Sequence, residues 1–125
     1  MIMSNSKLRE THKIYYDNGK LKSEMPYVNG KLHGIETGYY NTGELKYELP
    51  YENGEPHGIA KRYHKTGKLE YEVQYVHGEL HGISKEYYEN GQIKKESRYK
   101  NGIIFGTTQY DVNGIVFGHN EISEV

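Results

Sequence analysis

The chain contains no cysteine, and this absence removes disulfide bonds, thiolate metal sites and thiol nucleophiles together from its possible chemistry. It also lacks any stretch that approaches the roughly 18 apolar residues typical of a membrane-spanning helix. Residues 1–13 have no apolar segment after their charged residues, so no secretory signal is predicted there. We therefore expect a cytoplasmic protein.

The chain also lacks an excess of charge of one sign. Sixteen Lys and Arg against seventeen Asp and Glu leave a formal net charge of −1, and the two signs are interleaved along the whole chain. No basic block attracts nucleic acid or an anionic membrane, so we expect neither as a partner. Only 34% of the 125 residues are hydrophobic, and 14 of these are tyrosines, which leaves room for one domain without a thick aliphatic core.

What the sequence has is repetition at a fixed step of 24 residues. Three glycine series, a tyrosine series, a glutamate series and a leucine or isoleucine series share this step. Their members are Gly19, Gly43, Gly67 and Gly91; Gly30, Gly54, Gly78 and Gly102; Gly34, Gly58, Gly82 and Gly106; Tyr27, Tyr51, Tyr75 and Tyr99; Glu24, Glu48, Glu72 and Glu96; and Leu21, Leu45, Leu69 and Ile93. Six concordant series indicate a tandem array of one structural unit.

Each unit carries two turn signals. One unit, residues 34–57, reads GIETGYYNTGELKYELPYENGEPH, and its NTG and ENG segments lie between β-branched or aromatic residues. A polar residue followed by glycine in such a place predicts a hairpin turn. Because Thr42 and Thr66 tolerate a left-handed backbone poorly, we favour a three-residue loop, a type I turn closed by a glycine bulge, over a two-residue type I′ turn.

The predicted fold class is all-β: a single-layer antiparallel meander of tandem hairpins, with the sheet twisted or rolled. No segment shows a sustained 3.6-residue period, so no helix is predicted. The expected organisation is an N-terminal extension (1–13), a repeat domain (14–114) and a C-terminal capping strand and tail (115–125). The apolar residues 115–117 are expected to form or close the last strand.

The loop length decides which side chains share a face. Three-residue loops would pair Tyr40 with Glu44 and Tyr51 with Glu55, and would keep odd-numbered residues on one face of every strand. The odd-numbered face is then apolar and rich in tyrosine, and the even-numbered face is charged. No helix or second sheet is encoded to cover the apolar face, so we expect bending at mid-strand glycines, a partner, or both to cover it.

The recurring histidines and glutamates do not form a catalytic or metal site in this arrangement. Equivalent positions in adjacent units lie two strands apart, about 9.5 Å at about 4.8 Å per strand, so His33, His57 and His81 cannot share one zinc ion. The glutamate series is too widely spaced for a carboxylate dyad. We expect the imidazoles to bond to the backbone and the glutamates to pair across strands with Lys, Arg or turn amides. No nucleophile or phosphate-binding motif is present, so we predict no enzyme, no metal and no cofactor.

Seven positions are the candidate partner-binding residues, because tyrosine supplies a large contact area at a low entropic cost. Tyr39, Tyr63 and Tyr87 fit either cross-strand core pairs or a tyrosine-lined binding strip. The other four fall on the predicted charged face, where exposure would make them the better contacts. They are Tyr16, Tyr40, His64 and Tyr88.

The string YYxxGxLKxExxYxNGxxHGI, present three times with few departures, resembles the repeat of the MORN-repeat variant family over about residues 14–114. The resemblance implies a hairpin-repeat fold and a function in holding a partner. Some members are YwqK-type antitoxins or immunity proteins associated with toxin genes, whereas members of the broader MORN class look like scaffolds, some with lipid or membrane contact. Three departures stand out: His64 replaces a tyrosine, Phe105 replaces a histidine, and the last unit is one residue short.

The resemblance favours a cytoplasmic antitoxin or immunity protein that neutralises a cognate toxin by direct contact, as a monomer or weak dimer. The alternative is a structural or scaffolding module that self-associates through its apolar face or edge strands. A lipid-surface module is disfavoured, because there is no basic patch or amphipathic helix. A toxin reading frame beside the gene would support the first hypothesis.

Overall fold

The computed structural model describes residues 7–122, which form thirteen β-strands. The strands are β1 (Arg9–Tyr15), β2 (Leu21–Val28), β3 (Lys31–Leu32), β4 (Gly34–Tyr39), β5 (Leu45–Glu52), β6 (Glu55–Pro56), β7 (Gly58–Tyr63), β8 (Leu69–Val76), β9 (Glu79–Leu80), β10 (Gly82–Tyr87), β11 (Ile93–Lys100), β12 (Ile103–Tyr110) and β13 (Val116–Glu121). None of the described residues belongs to a helix that could cross a membrane. Residues 1–6 of the expected extension and 123–125 of the expected tail lie outside the described part.

The strands form one antiparallel sheet in which neighbours along the chain are also neighbours in space. The main path runs β1-β2-β4-β5-β7-β8-β10-β11-β12-β13, and the short strands β3, β6 and β9 pair with β2, β5 and β8 beside it. The prediction of an all-β, single-sheet meander is confirmed. Strand β1 crosses the expected boundary at residue 13, and β13 contains two residues of the predicted closing segment 115–117.

The turn at the NTG segment is the three-residue loop that its threonine predicts, and the equivalent turns at residues 17–19, 65–67 and 89–91 have the same backbone bonds. The Tyr40 amide donates to the Glu44 carbonyl at 2.8 Å, and the Gly43 amide donates to the Tyr40 carbonyl at 2.9 Å. Gly43 has a φ of 106°, whereas Thr42 keeps an ordinary negative φ. This is a type I turn closed by a glycine bulge, which confirms the prediction for these loops.

The turn at residues 52–55 and its equivalents at residues 28–31, 76–79 and 100–103 is different, and the prediction of a three-residue loop there is wrong. Asn53 and Gly54 both have positive φ, 50° and 86°, and Glu52 lies opposite Glu55. These are the features of a two-residue type I′ turn, in which Asn tolerates the left-handed conformation that Thr resists. Tyr51 consequently faces Pro56.

Each wide hairpin also contains a bulge. Between β4 and β5, Gly38 lies opposite Tyr47 whereas Tyr39 lies opposite Leu45, so Lys46 is an extra residue. The hairpins β1–β2, β7–β8 and β10–β11 show the same shift. One extra residue reverses the pairing of odd and even numbers, since side chains alternate along a strand. The prediction that odd-numbered residues share one face across all strands is therefore wrong.

The observed faces mix odd and even numbers. We call one the tyrosine face; its central side chains are Tyr47, Leu49, Tyr51, Ala60, Arg62, Tyr71, Val73, Tyr75, Ser84, Glu86, Lys95, Ser97 and Tyr99. We call the other the glutamate face; it carries Glu24, Ile35, Thr37, Tyr39, Glu48, Ile59, Lys61, Tyr63, Glu72, Ile83, Lys85, Tyr87 and Glu96. Apolar and charged side chains therefore occur on both faces.

Neither face has a deep core. Within residues 7–122, Ala60 is the one buried apolar residue, and Ser23, Ser97 and Thr108 are the buried polar ones. A single layer offers no second surface to bury larger side chains against. The stability of this array therefore rests on contacts between adjacent strands and adjacent repeats, as in other repeat proteins.

Candidate functional site

A row of polar side chains crosses the whole glutamate face, with each member directly opposite the next in strand register. In sheet order the row is Lys13, Glu24, Thr37, Glu48, Lys61, Glu72, Lys85, Glu96, Thr108 and His119. Glutamates alternate with lysine or threonine, and opposite charges in facing positions stabilise a sheet. As the interpretation of the glutamates as cross-strand partners expected, this register places Glu24, Glu48, Glu72 and Glu96 directly opposite lysines.

Tyrosine hydroxyls add a second contact to this row. Tyr63 donates to Glu48 at 2.9 Å, and Tyr87 donates to Glu72 at 2.8 Å. Burial first, and then the hydrogen bond to Glu72, raises the pKa of the Tyr87 hydroxyl to about 12. The candidates Tyr39, Tyr63 and Tyr87 thus lie on the glutamate face, and the hydroxyls of the last two are used within the sheet.

The remaining candidate tyrosines connect one repeat to the next. Tyr16 donates its hydroxyl to the Tyr39 carbonyl at 2.7 Å, and Tyr40 donates to the Tyr63 carbonyl at 2.6 Å. Tyr88 makes the equivalent bond, at 2.9 Å, to the carbonyl of Tyr110. All three rings are half-buried, so they are not the exposed contacts that the assignment to a charged face implied. A contact role for them remains a prediction.

A groove lies on the tyrosine face, formed by two adjoining cavities of about 170 and 270 Å³. We call it the tyrosine groove; its defining residues are Ala60, Tyr71, Val73, Tyr75, Ser84, Ser97 and Tyr99. Tyr71 and Val73 line both cavities, which makes the groove continuous across the strands. The short side chains of Ala60, Ser84 and Ser97 form its floor, and the tyrosine rings form its walls.

One tyrosine series has hydroxyls that the fold does not use. Tyr27, Tyr51, Tyr75 and Tyr99 are half-buried, and their hydroxyls make no hydrogen bond within residues 7–122. By contrast, the hydroxyls of seven other tyrosines donate to carbonyls or carboxylates. Those of Tyr15, Tyr39 and Tyr71 also make no hydrogen bond within residues 7–122, but these three belong to other series. Tyr75 and Tyr99 line the tyrosine groove.

Sequence reasoning placed this series on the apolar face but missed it as a candidate site. The 24-residue recurrence was a visible signal. The distinction from the other tyrosines depends on hydrogen bonds between strands, which only the structure shows.

Comparison with known families fits this architecture. The MORN repeat variant matches four segments of the chain, residues 11–29, 32–53, 56–77 and 80–101. The chain belongs to this family. MORN repeats are non-catalytic modules that contact proteins or membranes. No curated protein matches the chain.

The boundaries of the four MORN repeats coincide with the type I′ turns. Each matched segment ends on the first left-handed residue of such a turn, at Asn29, Asn53, His77 and Asn101. Each of the last three segments therefore contains one complete wide hairpin with its three-residue loop. Strands β12 and β13 follow the last match and extend the sheet by a further hairpin.

In each of the last three MORN units, the histidine at the start of the unit accepts a hydrogen bond from the type I′ turn at the end of that unit. Nδ1 of His33 accepts a hydrogen bond from the Asn53 amide at 3.3 Å, and Nδ1 of His57 accepts one from the His77 amide at 3.1 Å. The interpretation of these imidazoles as groups bonded to the backbone is confirmed. No cluster of three or more potential metal ligands exists in the part of the chain that the structure describes.

His64 occupies the position at which the other units carry the inter-repeat tyrosines Tyr16, Tyr40 and Tyr88. Its Nε2 is buried and has no hydrogen-bond partner in the described structure, and its Nδ1 lies 3.9 Å from a Glu89 carboxylate oxygen. By the spacing of the other three bonds, a tyrosine here would reach the Tyr87 carbonyl. A buried polar atom without a partner costs stability.

Replacing His64 with tyrosine is expected to raise the free energy of unfolding by about 1 kcal/mol, because it would form the missing hydrogen bond and remove the unpaired nitrogen. Urea denaturation, followed by circular dichroism, measures the change. His64→Phe is the matched control, since it supplies a ring without a hydroxyl. An equal gain in both variants would assign the effect to ring packing and not to the hydrogen bond.

Proposed function

We propose that this protein is a non-catalytic protein-binding module that acts as a cytoplasmic antitoxin or immunity protein, neutralising a cognate toxin by direct contact. The observation that supports the proposal is the tyrosine groove, together with the unused hydroxyls of the Tyr27, Tyr51, Tyr75 and Tyr99 series. Aromatic rings with a free polar tip are the side chains that dominate binding energy at protein interfaces.

The extent of this surface suits a protein partner. A protein contact of ordinary size covers about 800 Å² on each partner, which is more than one hairpin can offer. The tyrosine series recurs in all four MORN repeats, so a partner laid across the strands would meet equivalent rings in succession. Binding would then depend on several repeats at once.

The seven candidates from the sequence enter the proposal as a second set of contacts. Tyr16, Tyr40, His64 and Tyr88 lie in one column, and Tyr39, Tyr63 and Tyr87 lie along the glutamate face. Because most of their hydroxyls are occupied, they would contribute through the exposed parts of their rings. We therefore give the unused tyrosine series the larger share of the binding energy.

The alternative is a scaffold that self-associates, and the two edge strands that residues 7–122 leave unpaired on one side favour it. Strand β1 leaves Ile14 and Tyr15 exposed, and β13 leaves Val116 and Phe117 exposed. Unpaired edge strands with apolar side chains invite pairing between copies. We expect a monomer or weak dimer in light scattering, and a tight dimer would favour the scaffold.

Co-expression with a toxin gene found beside this one tests the proposal. The expected result is rescue of growth by the wild-type protein and co-purification of the toxin. The double variant Tyr51→Ala/Tyr75→Ala is expected to lose both, because each anchor tyrosine contributes more than about 1 kcal/mol to binding. Tyr40→Ala/Tyr88→Ala tests the sequence-based candidates in the same assay.

Ile59→Ala is the matched control, since Ile59 is exposed on the opposite face of the sheet. Circular dichroism melting separates lost binding from lost folding in every variant. Full rescue by the Tyr51→Ala/Tyr75→Ala variant would exclude the tyrosine face as the site. Absence of any rescue by the wild-type protein would leave the scaffold as the better hypothesis.

A further inference from the structure

We propose that the tyrosine groove binds a proline-rich segment of the partner in the polyproline II conformation, with an acidic residue of that segment at Lys95. The inference rests on the proposed function, because it assumes a protein partner on the tyrosine face. It names the class of segment that the groove would recognise.

The spacing of the tyrosines selects among extended and helical ligands. Equivalent tyrosines lie two strands apart, about 9.5 Å at about 4.8 Å per strand. A polyproline II helix presents the same face every three residues, about 9.3 Å, and so drifts by only about 0.2 Å per repeat. An α-helix presents the same face about every seven residues, which is about 10.5 Å. It therefore departs from the tyrosine spacing by about 1 Å per repeat, five times the departure of the polyproline II helix.

A ligand that adds as a β-strand fits this face poorly. Its side chains return to the same side every two residues, about 6.6 Å, which does not match the tyrosine spacing. Strand addition also needs unpaired backbone groups. Strands β5, β7, β8, β10 and β11 each have a neighbouring strand on both sides, so none of them offers the open edge that strand addition needs.

The chemistry of the groove complements a polyproline II segment. Such a segment has no internal hydrogen bonds, and its carbonyl groups are free to accept. The hydroxyls of Tyr75 and Tyr99 have no acceptor within residues 7–122 and are available to donate. Proline-rich segments characteristically dock in aromatic-lined grooves, where the preformed helix loses little entropy on binding. The small side chains of Ala60, Ser84 and Ser97 leave room between the rings.

The charges in the groove indicate where an acidic residue would lie. Arg62 Nε is 3.4 Å from a Glu70 carboxylate oxygen, and Lys94 Nζ is 3.8 Å from a carboxylate oxygen of Glu86. Lys95 also lines the groove, beside Ser97, but it forms no ion pair with any described residue. Lys95 lies directly opposite Glu86, whose carboxylate is already 3.8 Å from Lys94 Nζ, so Lys95 is the cation of the groove that is left to complement a carboxylate of the ligand.

A larger cavity of about 410 Å³ lies on the glutamate face, but its chemistry does not match such a ligand. Ile59 and Ile83 line it, with Glu72 and Lys85, which already belong to the alternating row. It contains no tyrosine. We therefore assign the proline-rich segment to the tyrosine groove.

Fluorescence anisotropy with labelled synthetic peptides tests the inference on the full chain. The probe has roughly nine prolines, enough for three turns, with two aspartates placed at one end or the other. The control peptides replace every proline with glycine or serine, or both aspartates with asparagine. We expect the proline-aspartate probe to bind at least about tenfold more tightly than the glycine-serine peptide.

Variants of the groove assign the contacts. Tyr75→Ala and Tyr99→Ala are each expected to weaken binding of the probe about tenfold, and Tyr75→Phe, which keeps the ring, less than this. Lys95→Gln is expected to abolish the preference for aspartate over asparagine while leaving binding of the neutral peptide unchanged. Ile59→Ala should leave all affinities unchanged. Circular dichroism confirms that each variant is folded.

Equal binding of the proline and glycine-serine peptides, or no binding of either, would overturn the inference. So would affinity that survives loss of Tyr75 and Tyr99. These outcomes are separate from failure of the proposed function. A toxin that co-purifies through Tyr51 and Tyr75, while proline-rich peptides do not bind, would retain the function and reject the ligand class. Binding of the proline-rich peptide, without a toxin that co-purifies, would support the ligand class and reject the proposed function.

Discussion

Gly38→Ala is expected to destabilise the protein by about 3 kcal/mol, a large cost for one methyl group, because that methyl would occupy the space of a packed aromatic ring. Gly38 is buried on β4 opposite Tyr47, and a Cβ atom built there collides with the Tyr47 ring. The ring is also held at its far end, where the Tyr47 hydroxyl donates to a Glu36 carboxylate oxygen at 2.6 Å. The substitution must displace the ring and break this bond. Urea denaturation measures the loss.

A double-mutant cycle tests whether the ring is the cause. Tyr47→Ala removes the ring, so Gly38→Ala should cost little in that background, and the two changes should be strongly non-additive. Gly106→Ala is the matched control: its Cβ would meet the guanidinium of Arg98, the end of a flexible side chain that can move away. We expect a cost below about 1 kcal/mol there. Additive effects at Gly38 and Tyr47 would show that the collision is not what destabilises the sheet.

The collision at Gly38 illustrates what the sequence could and could not predict. The hairpins and their number follow from the 24-residue recurrence of turn signals, because a polar residue followed by glycine between β-branched or aromatic residues is typical of a hairpin turn. The same recurrence leaves no segment for a helix. The loop type could also be read where the residue was informative. Thr42 resists a left-handed backbone, whereas Asn53 permits one. The three-residue loop that follows from Thr42 was nevertheless predicted for both kinds of turn.

The faces of the sheet could not be predicted because register errors accumulate. A bulge at Lys46 and a two-residue loop at Asn53 each change the parity of the pairing. The bulge leaves no residue type that differs from the surrounding pattern. As a result Tyr63 was placed with Tyr47 on an apolar face, whereas its hydroxyl bonds Glu48 on the other side.

The candidate site was predictable as a class of residue but not as a set of positions. Tyrosine stands out in the sequence as the recurring aromatic residue. Which tyrosines are free to contact a partner depends on where each hydroxyl finds an acceptor, and those acceptors lie 11 to 23 residues away in the sequence. The Tyr40 hydroxyl reaches the carbonyl of Tyr63, but the Tyr75 hydroxyl has no such acceptor among the described residues.

Glu72→Lys is expected to destabilise the protein by about 2 to 3 kcal/mol, because it reverses the central charge of the row on the glutamate face. Glu72 lies directly opposite Lys61 on one side and Lys85 on the other. It also accepts the Tyr87 hydroxyl at 2.8 Å. The lysine variant would place three positive charges in facing positions and leave that hydroxyl without its acceptor. Urea denaturation at low ionic strength measures the loss.

Glu72→Gln separates the two causes, since its amide oxygen can still accept from Tyr87 while the charge is removed. We expect it to lose less than half as much stability as the lysine variant. Salt provides an independent check, because the Debye length shrinks from about 10 Å at 0.1 M to about 3 Å at 1 M. High salt should therefore recover part of the loss in Glu72→Lys, the part due to repulsion between lysines, and almost none of the loss in Glu72→Gln. If Glu72→Lys unfolds at the wild-type urea concentration in low salt, the alternating row does not stabilise the sheet, and its regular register is a consequence of the repeat alone.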